Sequence, residues 1–221
     1  MAAHPESVTL PRRDEHARAQ LAAVGAARAP LVLARDRTLT VPGPLGAVIP
    51  TLTRGTVVAV GGRLGAGATS TALGLAAAAT AAGEWAALVD GSGSLGALAA
   101  AEGGVDLARF VVVRDVPRER WATVVAALLD GVSVVIAEMP RVVRPADARR
   151  LLARARERSA VLVALAADVR AWPVEAGMRI VAAGGVWSGL GEGDGTLAAR
   201  VGHWTVSDRG HAPRVVGRRV G

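Results

Sequence analysis

The chain has 221 residues, 51% of them hydrophobic but only 3% aromatic, and carries a net charge of +7. That length suits one layered domain with a core of Ala, Val and Leu, and leaves too little chain for two full domains. With no cysteine the chain can have no disulfide framework, thiolate metal site or cysteine nucleophile, which fits a reducing cytoplasm.

All 26 basic residues are arginine, giving a positive field that attracts phosphate backbones or an acidic partner. The start, Met1 to Ser7, lacks the basic and apolar segments of an export signal. The longest weakly charged stretch, Leu64 to Gly83, is interrupted by glycine, Thr and Ser, so a soluble cytoplasmic protein without a membrane span is expected.

Residues 1–13 read as a disordered lead and 14–50 as an arm. In the arm, Ala17, Leu21 and Val24 fall at helical spacing, Leu31 to Leu33 reads as extended, and Val41 to Gly46, with two prolines and two glycines, reads as a loop. From residue 51 to 221 the pattern is that of a single α/β core. Strands are expected at Thr56 to Val60, Ala86 to Asp90, Phe110 to Val113, Val132 to Ala137 and Val161 to Ala166. Helices are expected between them: Thr69 to Ala82, Leu95 to Glu102, a stripe of Trp121, Val124, Val125, Leu128 and Leu129, and Pro145 to Arg158. This alternation predicts a mostly parallel sheet with helices on both faces. From about residue 174 onward, Arg179 to Ala183, Ala198 to Val206 and Arg214 to Val220 read as antiparallel hairpin strands extending the sheet, with Gly184 to Gly195 as a mobile loop.

Gly62-Arg63-Leu64-Gly65-Ala66-Gly67-Ala68-Thr69 has the setting of a phosphate loop, between a strand and a helix N-terminus. Gly62, Gly65 and Gly67 keep the turn and Thr69 the metal-binding hydroxyl, but Ala68 stands where the phosphate-neutralising lysine belongs. Loss of that charge-assisted contact removes about 1.5–3 kcal/mol. Glu138 closes an apolar strand where a metal-holding carboxylate would sit; Asp90 is a candidate survivor of a water-activating carboxylate, whereas Ser92 cannot act as a base. Arg63 could in principle swing into the lysine's place, but its position on the loop gives no reason to expect it. The glycines also have a purely structural reading, because a tight strand-to-helix turn needs positive φ.

The order of these features resembles the bacterial recombinase RecA core over roughly residues 14–183. It rests on Asp14 to Ala27, Arg35 to Thr38, Thr53 to Gly61, Leu88 to Asp90, Gly104 to Leu107 and Val132 to Glu138. The departures at Ala68, at Ser92 and in the short segment after Glu138 look like the RecA-like accessory protein of the inducible mutagenesis cassette, the ImuA-like family in its short high-GC bacterial form. The resemblance implies a RecA-like P-loop core and a non-catalytic scaffold in SOS mutagenesis and translesion synthesis. Its implied partners are an ImuB-like inactive Y-family polymerase homologue and an error-prone polymerase, with RecA and single-stranded DNA as further candidates. It implies no catalytic residue, no metal and no cofactor, residual ATP binding being a lesser alternative. Two competing readings are a DNA-dependent RecA-type ATPase with a deviant loop and a SulA-type cell-division inhibitor.

A nucleic-acid or partner surface is sought in Arg200, Trp204, Arg209, Arg214, Arg218 and Arg219. The competing reading makes Trp204 a cap on the sheet edge. The arginines of the Pro145 to Arg158 helix read mainly as a solvated face. His4, His16, His203 and His211 lack metal-ligand spacing, and Asp168 and Asp194 read as loop residues.

Overall fold

The computed structural model describes residues 37–190, 195–208 and 212–220. The expectations for the lead, the Asp14 to Ala27 helix and Leu31 to Leu33 therefore lie outside the described residues, as do Arg209, His211 and Asp194. A two-stranded hairpin, β1 (Thr38–Thr40) and β2 (Thr51–Thr53), comes first, with one helical turn, α1 (Gly43–Gly46), between its strands. The main sheet then runs β3 (Val57–Gly62), β4 (Ala86–Val89), β5 (Phe110–Val113), β6 (Val134–Glu138), β7 (Val161–Leu165), β8 (Met178–Leu190), β9 (Gly195–Asp208) and β10 (Arg214–Val220). Its spatial order is β10-β9-β8-β3-β7-β6-β4-β5. Pairing is parallel from β8 through β5 and antiparallel along β8-β9-β10.

The fold is thus mixed α/β with a large, mostly parallel sheet and helices on both faces. Strands β3, β6 and β7 are nearly continuous apolar runs because they are covered on both sides. On one face lie α2 (Ala68–Ala81) and α3 (Ala97–Glu102), on the other α4 (Trp121–Gly131) and α5 (Pro145–Arg158). The low aromatic content shows in α2, where Ala72, Ala76, Ala77, Ala78 and Ala79 are all buried. It is apolar nearly all round because the β1–α1–β2 unit forms a further layer over it. Gly74 permits that approach, since a Cβ there would lie 2.9 Å from Leu45 Cδ2.

Three expectations are corrected. Val41 to Gly46 is not wholly loop: Pro44 presets helical φ in the first turn and Leu45 is buried, so Gly43–Gly46 closes into a helical turn. Residues 37–50 do not stand apart from the core, because Leu39, Val48 and Ile49 share the apolar cluster of α2; a boundary after residue 50 would part Thr40 from its strand partner Thr51. Gly184 to Gly195 is not a loop over most of its length. Strand β8 continues to Leu190 and β9 begins at Gly195, with register shifts after Ala182 and Ser188 where Gly184 and Gly189 take positive φ, so these glycines serve bulges.

On α5 the apolar stripe is Ala148, Leu151 and Ala155, with Leu152 only partly buried. Arg154 and Arg158 reach Asp130 at 2.6 and 3.1 Å, and Arg154 also reaches Glu157 at 3.2 Å. Much of this basic face is therefore neutralised within the chain, and such half-exposed pairs add little stability. Among the described residues no helix is long and apolar enough to cross a membrane, and no cluster of three or more His, Asp or Glu is placed to hold a metal.

Candidate functional site

Strand β3 ends in the Gly61-Gly62 pair, and the chain turns through 63–67 into α2. Gly65 and Gly67 take φ of 76° and 98°, and Gly67 is the residue before the first helical turn, which has no side-chain cap and no acidic residue. The turn is closed by Ala66 N–H donating to the Arg63 carbonyl at 2.9 Å. Next to it is a cleft of about 470 Å³ at the carboxyl ends of β3, β6 and β7, lined by residues of the loop, Glu138, Met139, Ala166 and Arg200. Ligands of open α/β sheets bind at this end of the strands.

The cation nearest the loop comes from the far end of the chain. Arg200, on β9, donates from Nη2 to the Ala66 carbonyl at 3.1 Å, and a Cβ on Gly67 would lie 3.0 Å from that nitrogen. Its guanidinium carbon lies 5.6 Å from the ring centroid of Trp187, its cross-strand partner on β8. Two residues further along the same face of β9 is Gly202, and two beyond that Trp204, whose indole folds over Gly202. Trp204 is 7% exposed and its Nε1 donates to Thr71 Oγ1 at 2.9 Å, while that hydroxyl donates to the Gly67 carbonyl at 2.8 Å. Arg200 and Trp204 thus fasten the C-terminal hairpin to both ends of the first turn of α2.

This corrects the expected surface. Trp204 is part of the core and is neither exposed nor at the sheet edge, because β10 lies outside β9. Arg214 lies 3.6 Å from Asp208. The register pairs Arg218 with Gly202 and Arg219 with Val201, so these adjacent arginines point to opposite faces of the sheet. The five described residues therefore do not form one patch, and Arg209 lies outside the described residues. Arg63, whose position on the loop gives no reason to expect it in the lysine's place, is exposed and lines the cleft.

Glu138 ends β6, fixed there by Trp121, whose Nε1 donates to the Glu138 carbonyl at 2.8 Å. Its carboxylate lies against Ser92: Oε2 accepts from the backbone N–H at 2.8 Å, and Oε1 is 3.2 Å from Oγ, whose one proton is shared with the equally close Asp90 Oδ1. Ser92 also contacts Ser94 Oγ at 2.7 Å and Asp90 Oδ1 at 3.2 Å. Asp90 is fully buried and accepts from Arg114 Nε at 2.9 Å and Leu95 N–H at 3.3 Å, pinning the turn after β4 to the end of β5. Asp90 thus anchors this turn and does not itself line the cleft, from whose Glu138 it is separated by Ser92. Asp168 caps a short turn by accepting from Arg170 N–H at 2.9 Å.

Burial alone would raise the Asp90 carboxyl pKa. It is outweighed by the Arg114 hydrogen bond, the Leu95 N–H, the Ser92 hydroxyl and the Arg114 charge, which together hold it below its ordinary value. A depressed folded-state pKa gives stability that is complete above the ordinary carboxylate range and is lost as pH falls through the lowered value. Arg114→Gln removes two of the lowering causes, so the stability that the Asp90 carboxylate contributes above its ordinary range shrinks: the variant is expected to be less stable than the parent at neutral pH, with the difference narrowing as pH falls and Asp90 is protonated in both. Urea denaturation followed by circular dichroism at neutral and at acid pH reads this, and a difference equal at both would contradict it.

Residues 47–174, more than half of the chain, match the model of the MT3502 N-terminal domain family. The chain belongs to that family. An uncharacterized protein of Mycobacterium tuberculosis is 41% identical over 103 residues, which is 46% of this chain and 50% of the relative. The chain thus spans about half the length of the curated relative it matches. The matched MT3502 N-terminal domain contains the loop, Asp90, Ser92, Arg114 and Glu138, and ends before β8. Arg200 and Trp204, which close the loop from outside, lie beyond the matched span.

Proposed function

We propose that this MT3502 N-terminal domain protein is a non-catalytic scaffold with a RecA-like P-loop core, acting in DNA-damage-induced mutagenesis and translesion synthesis. In this reading it assembles with an ImuB-like inactive Y-family polymerase homologue and an error-prone polymerase. The observation that carries the non-catalytic part is the double occupation of the cleft's polar ends. Glu138 Oε2 accepts from Ser92 N–H, and the loop, with Ala68 in place of lysine, has a carbonyl tied to Arg200. In this reading the loop lacks the lysine that stabilises a transferring phosphoryl group, and the guanidinium beside it is occupied in holding the turn. The RecA-like reading is supported by the parallel sheet, the glycine turn before α2 and Glu138 at the same end of the strands.

Co-purification of the full chain with an ImuB-like protein from damage-treated cells is the test. A defined complex is the expected result, and no association at micromolar concentrations would remove the scaffold assignment. The second reading, nucleotide binding by a deviant loop, is favoured by one observation: Arg200 brings a guanidinium to the loop, against Ala66 and Gly67. Hydrolysis of ATP stimulated by single-stranded DNA and lost in Thr69→Ala would establish it instead.

A further inference from the structure

The cleft beside the loop combines charge and exposed apolar surface in a way that neither residual phosphate binding nor packing explains. Leu64, at the apex of the turn, is 106% exposed, and Trp187 on the hairpin is 52% exposed while lying over Arg200. Two guanidiniums line the cleft, the exposed Arg63 next to Leu64 in the chain and the half-buried Arg200, through which Trp187, itself outside the lining, adjoins it. The one acidic side chain lining the cleft is Glu138, which Ser92 hydrogen-bonds without neutralising, so the two guanidiniums leave the lining net positive by one charge. A carboxylate entering here meets cations in a fork geometry suited to it, with apolar surface on either side.

We propose that this cleft is a docking site for an acidic peptide segment of a partner protein, in which Asp or Glu residues alternate with apolar ones. The carboxylates pair with Arg63 and Arg200, and the apolar residues pack on Leu64 and Trp187. This rests on the scaffold reading above and adds the place and chemistry of the contact. Charge complementarity selects the occupant. Two cations flanked by Leu64 match a short acidic-apolar segment, whereas a nucleic-acid strand needs a longer basic track and gains nothing from an exposed leucine.

The test uses ¹⁵N-labelled full chain titrated with an acetylated, amidated hexapeptide of alternating Asp and Leu, and with its Asn-for-Asp counterpart. The acidic peptide is expected to shift the amides of Gly65, Gly67 and Thr69 and the Trp187 indole, with the counterpart at least about tenfold weaker, as loss of charge-assisted pairing requires. Arg63→Gln/Leu64→Ser, which alters only exposed side chains, is expected to lose binding while its melting temperature is kept. Arg200→Gln should lose it too. Equal shifts from both peptides, shifts confined to other surfaces, or the same amides moved more tightly by a thymidine 15-mer, ADP or inorganic phosphate would each overturn the proposal. If the double variant still co-purifies with the ImuB-like protein, the docking site is wrong and the scaffold reading survives; if the parent chain fails to co-purify, the scaffold reading itself falls.

Discussion

Replacing Trp204 with alanine is expected to destabilise the protein by about 3–5 kcal/mol, the usual cost of emptying a buried tryptophan site. The indole is enclosed by the core that contains Ile180, Val206 and the α2 alanines. Its N–H also holds Thr71, whose hydroxyl bonds the Gly67 carbonyl. Trp204→Phe keeps most of the volume and removes the donor, so a smaller loss of about 1–2 kcal/mol is expected. Urea denaturation followed by fluorescence of the remaining tryptophans measures both. Hydrogen exchange adds a local readout, because Trp204→Ala should speed exchange at Ala66 and Thr71, at opposite ends of the helix start. An alanine variant with an unchanged midpoint would mean that the hairpin is not fastened to the loop by this side chain.

The parts of the fold legible in the sequence are those where local pattern and tertiary demand agree. Strand β7 and helix α5 are read almost to the residue, because Val161 to Leu165 is an unbroken apolar run and Ala148, Leu151 and Ala155 repeat at helical spacing. The β1–β2 hairpin was also within reach. Thr38-Leu39-Thr40 and Thr51-Leu52-Thr53 are the same polar-apolar-polar triplet, and they pair leucine to leucine. Three residues are too short to stand out, and the proline-rich segment between them suggests only a loop. The glycines of 184–195 mislead because composition does not separate a turn from a bulged strand. In the candidate site, the loop, Ser92 and Glu138 are visible from their sequence setting. Arg200 is visible as a surface candidate but its place at the loop is not, since its partner Ala66 is 134 residues away and no local spacing links them. An arginine and a tryptophan four apart on a strand look the same whether they face solvent or a helix start.

Gly62→Val is expected to destabilise by about 1–3 kcal/mol or more, the cost of overpacking a closed interface. Gly62 pairs with Ala182 at the end of the β3–β8 ladder, and a Cβ there would lie 2.5 Å from the Ala182 carbonyl oxygen and 3.2 Å from its Cβ. Neither can retreat far, because Ala182 is itself buried and Gly62 N–H is bonded to the Ala167 carbonyl at 3.1 Å. Gly65 supplies the internal contrast. A Cβ there meets nothing within 4 Å, so Gly65→Ala should cost only the backbone strain of its positive φ, about 1 kcal/mol. Thermal melts of the two variants measure this difference, and equal losses would contradict it. The expected inequality bears on what the loop is for, because the first glycine of the motif is required by strand packing and needs no bound phosphate to explain it. Gly65 has no such packing duty, so a large effect of Gly65→Ala on nucleotide affinity, with little effect on stability, would be the result that returns the loop to phosphate binding.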